Sequence, residues 1–74
     1  MKVFGYAEQF GEQESSLLRL AEVSFNVSSS DDLKALAIFL MDCVEKMKAP
    51  DWEHEHLGES KFAINDSPDV IVFE

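Results

Sequence analysis

Cysteine occurs once, at Cys43. A lone thiol closes no internal disulfide and builds no thiolate cluster, so a disulfide-stapled secreted scaffold is excluded. Positive charge is also scarce: 6 Lys and Arg stand against 15 Asp and Glu, a formal net charge of −9. Gripping a phosphate backbone needs cations clustered on one face, and holding an anionic membrane surface needs a basic patch. Neither nucleic acid nor membrane is therefore an expected partner. Long hydrophobic runs are missing too. The longest, Ala35 to Met41, is far too short to span a bilayer. The first residues reach Glu8 and Glu12 without the apolar stretch of a signal peptide. The expected location is cytoplasmic. With three glycines, the chain carries no P-loop, no dinucleotide fingerprint and no calcium loop.

What is present is a short, apolar, acidic chain. Its 74 residues are expected to form one domain, 1–74, and 46% of them are apolar, too many for a disordered acidic tail. A domain of this size buries only about 60% of the surface its unfolded chain exposes. That leaves little room for a large catalytic cleft.

Lys2–Ala7 is a strand candidate interrupted by Gly5, and Gln9–Ser16 reads as a polar connection. From Ala21 the chain alternates strictly: Ala21, Val23, Phe25 and Val27 against Glu22, Ser24 and Asn26. That period of two marks a half-buried strand. Leu18 and Leu20 break the parity, which predicts a bulge near Leu20 or cover on both faces. Ser29 followed by Asp32 resembles a capping box and opens a helix over Asp31–Lys48, stopped by Pro50. Leu33, Leu36, Ala37, Leu40, Val44 and Met47 form its apolar stripe. Ile38 and Phe39 sit roughly 120–140° from the centre of that stripe at 100° per residue. They need cover from a loop or a second molecule, and are the candidates for self-association as a homodimer. Asp51–Leu57, Lys61–Asn65 and Val70–Phe73 read as further strand segments. The expected fold is α+β: an antiparallel sheet of four to five strands with one long helix on one face, in ββαββ order.

His54-Glu55-His56 is the most conspicuous chemical feature. Residues two apart share a strand face, so both imidazoles are candidate ligands for one metal ion. Zinc asks for at least three protein ligands, and the third would be Cys43, Asp51 or a remote carboxylate. The spacing is not the helical HExxH pattern. No metal or other cofactor is expected. Cys43 flanks the helix stripe, where a thiol usually serves as a small hydrophobe. Trp52, the single tryptophan, lies between Asp51 and Glu53. It is either a core residue or an aromatic anchor ringed by acids, which suits a basic partner. Trp52, Glu53 and Glu55 are the candidate partner-binding residues.

Several segments together resemble a family of small immunity proteins of bacterial polymorphic-toxin systems. They are Leu20-Ala21-Glu22-Val23-Ser24-Phe25, Ser29-Ser30-Asp31-Asp32-Leu33, Ala37-Ile38-Phe39-Leu40, Trp52-Glu53-His54-Glu55-His56-Leu57 and Ser67-Pro68-Asp69-Val70-Ile71-Val72-Phe73. The resemblance spans roughly Leu17 to Phe73 and implies a non-enzymatic inhibitor that occludes a cognate toxin domain. An acidic inhibitor suits a basic nuclease toxin, whose phosphate-gripping surface it would cover. Two other readings stand beside it: a small metal-binding domain built on His54 and His56, and a self-associating structural subunit.

Overall fold

Ser29 sets the register of the helix. Its backbone is extended, and its hydroxyl accepts a hydrogen bond from the Asp32 N–H at 3.2 Å. This satisfies one of the donors that every helix N-terminus leaves open. The helix, α1, runs Ser30–Lys46. The computed structural model describes residues 1–8 and 18–74; the expected connection at Gln9–Ser16 lies outside them. In chain order the described elements are β1 (Lys2–Ala7), β2 (Leu20–Asn26), α1, β3 (His54–His56), a 3₁₀ turn (Leu57–Glu59) and β4 (Ile71–Phe73).

The strands do not make one sheet. They form two separate antiparallel ribbons, β1–β2 and β3–β4. This corrects the expected four- to five-stranded sheet in ββαββ order. The missing piece is Lys61–Asn65, the segment expected to add a strand. Its backbone groups are taken by local turns: the Ser60 hydroxyl donates to the Leu57 carbonyl at 2.8 Å and accepts the Phe62 N–H at 3.1 Å. The Ala63 N–H then donates to the Ser60 carbonyl at 3.3 Å. Such side-chain and turn bonds compete directly with a strand ladder. Phe62 and Ile64 still pack against the core, but from turns.

The parity slip in β2 is a bulge. Tyr6 pairs with Glu22 and Ala7 with Leu20, so Ala21 is the extra residue. Without it, Leu20 would fall on the Glu22 face. With it, Leu20 joins Val23 and Phe25 on the face that also carries Val3 and Gly5. Leu20 lies directly over Gly5, where a Cβ would stand 2.8 Å from a Leu20 methyl and 3.0 Å from the Glu22 carbonyl. Gly5 is therefore a site of close approach.

The core is built from Met1, Leu36, Phe39, Cys43 and Leu57, flanked by Val3, Val27, Phe62, Ile64, Val70 and Val72. The helix is thus turned about its axis relative to the expected stripe. Phe39, expected on the outer side, is 1% exposed at the centre of the core, and Ile38 is 39% exposed. Leu36 is buried, but Leu33 and Leu40 are 51% and 42% exposed. No described helix is long and apolar enough to cross a membrane.

Candidate functional site

The β3–β4 ribbon sorts its side chains by register. His54 pairs with Phe73, Glu55 with Val72, and His56 with Ile71. Directly paired residues share a face. Val72 packs against the core, so Glu55 is on the inner side, where its carboxylate meets Lys46 at 3.6 Å. Lys46 also holds Asp42 at 3.1 Å. The Asp42 hydrogen bond is the main reason its ammonium is held above the ordinary lysine range. The outer side carries His54, His56, Ile71 and Phe73. The ladder is extended at both ends, by Leu57 N–H to the Val70 carbonyl and by Glu74 N–H to the Glu53 carbonyl.

These outer residues, with Trp52, Glu53 and Glu74, line a shallow cleft of about 670 Å³. Its lining is aromatic and aliphatic, with two glutamates among it. Of the three expected partner-binding residues, Trp52 and Glu53 meet here, while Glu55 turns to the helix. The half-buried Trp52 has its indole N–H out of contact with solvent and without an acceptor among the described residues. An orphaned donor of this kind costs about 1–3 kcal/mol.

The two imidazoles stand edge to face, centroids 5.0 Å apart at 75°. His56 Nδ1–H donates to Asp69 Oδ2 at 2.6 Å, which assigns the proton to Nδ1, since an ionised carboxylate only accepts. The Gly58 N–H donates to the other oxygen, Oδ1, at 2.7 Å. The Asp69 carboxylate therefore ties β3, the 3₁₀ turn and the approach to β4 together. The Gly58 bond, and then the His56 bond, hold its carboxyl below the usual range. The Asp69 hydrogen bond in turn pushes the His56 imidazole up. A Cβ at Gly58 would stand 3.1 Å from Asp69 Oδ1, so a side chain there would push on this carboxylate.

Asp69 is the residue that sequence reasoning missed. The one available signal was an aspartate in a Ser-Pro-Asp turn, a residue type that commonly bonds nearby backbone. Among the described residues, no three His, Cys, Asp or Glu side chains gather as metal donors. Cys43, one proposed third ligand, is buried in the core. Burial first, then the nearby Glu55 and Asp42 carboxylates, push its thiol up. Compared with protein families, characterised proteins and solved structures, the chain shows no match.

Proposed function

We propose that this chain is a non-enzymatic acidic binding protein, an inhibitor of the immunity-protein kind that occludes a basic toxin domain in the cytoplasm. The observation that supports this reading is the outer face of the β3–β4 ribbon. A cleft lined by Trp52, His54, His56, Ile71 and Phe73 also carries Glu53 and Glu74, on a chain of net charge −9. An apolar cleft that also carries anionic groups is how a surface takes a cationic partner: the aromatic anchor supplies affinity and the acidic charges steer the encounter. Glu55, committed to Lys46, acts behind the cleft rather than in it.

The test is co-expression of this chain with a panel of basic toxin domains. Growth rescue by the wild type, weakened by Trp52→Ala and by Glu53→Gln with the helical spectrum intact, is the expected result. Wild-type chain that neither rescues growth nor binds any purified toxin of the panel overturns the proposal. Binding of a basic partner should also weaken as salt rises.

A further inference from the structure

Among the described residues, nothing covers the longest apolar stripe of the helix. At 100° per residue, Leu33, Ala37, Leu40 and Val44 fall within an arc of about 60°, with Met41 and Met47 on its two sides. All six are exposed, the five larger ones by 42–70%. This arc is centred roughly 100° from the Leu36–Phe39–Cys43 face that enters the core. It contains no carboxylate, because Asp31, Asp32, Asp42 and Glu45 all lie elsewhere on the helix.

We infer that a second copy of this chain covers this face, the two α1 helices meeting antiparallel about a twofold axis near Leu40. Area is the first argument. At roughly 200 Å² for a fully exposed leucine or methionine, the exposed parts of the five larger stripe residues come to about 500 Å² on each copy, or about 1,000 Å² in total, the lower bound for a specific interface. Charge is the second. Two chains of −9 repel, so they can associate only through an acid-free patch, and a basic partner would instead favour the acidic faces. Symmetry is the third. Leu40 is the midpoint of Leu33 and Met47, so a twofold axis there sets Leu33 of one copy against Met47 of the other and closes the assembly.

The cleft on β3–β4 plays no part in this interface, and salt separates the two proposals. Self-association of like-charged chains tightens as salt screens their repulsion, whereas binding to a basic partner weakens. Sedimentation of the full chain from low to high micromolar concentration should give twice the 8.4 kDa chain mass, with the dimer favoured by added salt. Leu40→Lys and Val44→Lys should each raise the dimer dissociation constant by at least about tenfold, and Ile38→Lys, off the stripe, should not. Leu40→Cys should cross-link to a covalent dimer under mild oxidation, while the wild type, with Cys43 buried, should not. This readout holds even where a lysine variant loses its fold. Three results overturn the inference: a folded single-chain mass at high micromolar concentration, a dimer broken by Ile38→Lys but not by Leu40→Lys, or a Leu40→Cys variant that stays monomeric on oxidation.

Discussion

Replacing Phe39 and Ile38 one at a time tests how the helix is seated. The two are sequence neighbours of similar apolarity, and neither lies on the uncovered stripe. Phe39 is 1% exposed and Ile38 39%. Truncating a buried phenylalanine to alanine costs about 3–5 kcal/mol, from lost transfer energy and the cavity left behind. Ile38→Ala starts from about 2–5 kcal/mol for a fully buried site. Scaled for the exposure of Ile38, and relieved by the better helix propensity of alanine, it should cost about 1–2 kcal/mol. The whole fold is worth roughly 4–11 kcal/mol at 74 residues, so Phe39→Ala removes about a quarter of it or more. Urea unfolding followed by helical circular dichroism at one fixed chain concentration reads both. Phe39→Leu, expected to lose less than about 1.5 kcal/mol, covers the case in which alanine unfolds the domain outright. Equal costs for the two alanine variants, or a larger cost at Ile38, would refute the seating of α1 described above.

Three further outcomes are expected. Ser29→Ala removes the hydroxyl that caps α1 and should cost about 1 kcal/mol, lowering Tm by about 4–8 °C in a thermal melt. His56 should titrate above the ordinary histidine value and above His56 in an Asp69→Asn variant, read from imidazole shifts by NMR. The folded value is raised, so its contribution to stability is full below about pH 6.5 and is lost as pH rises from there through the higher folded value. The lowered Asp69 carboxyl works the other way: its contribution is present above the ordinary aspartate range and lost in acid. The Tm difference between wild type and Asp69→Asn should therefore peak between those limits; a flat difference would count against the pairing. Cys43, buried with its thiol pushed up, should react with a disulfide reagent far more slowly in buffer than in urea, and equal rates would place it at the surface.

The features legible in the sequence were the local ones. Ser29 and Asp32 mark the helix start because a cap is made within four residues. The alternation from Ala21 marks β2, and the slip at Leu20 marks the bulge, because both are written in side-chain parity. The rotation of α1 was not legible. The helix carries two adjoining apolar arcs, and the longer one drew the assignment. Which arc enters the core depends on Met1, Leu57 and Val72, residues far away in the chain. The sheet was misjudged for a related reason: Phe62 and Ile64 alternate like a strand, but Ser60 offers the Phe62 and Ala63 N–H groups a nearer partner. In the candidate site, the alternation of Asp51–Leu57 set both glutamates opposite Trp52, which holds for Glu55 but not for Glu53, a neighbour of Trp52 in the cleft. It could not show that Asp69 reaches across thirteen positions to His56.

Because each sheet has only two strands, every strand in the described protein is an edge strand. One row of amides on each strand points inward to its partner, and the other row has no ladder to join. Hydrogen exchange should therefore divide each strand into alternating slow and fast amides, while the interior of α1 stays protected throughout. Such open edges are templates for unwanted pairing, and proteins blunt them with short strands, charges and bulges. All three are present. β3 and β4 have three residues each, Lys2 and Glu22 stand on the first ribbon, and Ala21 breaks its register. The residue that returns Leu20 to the apolar face also bends β2 out of the flat geometry that a stray strand would need.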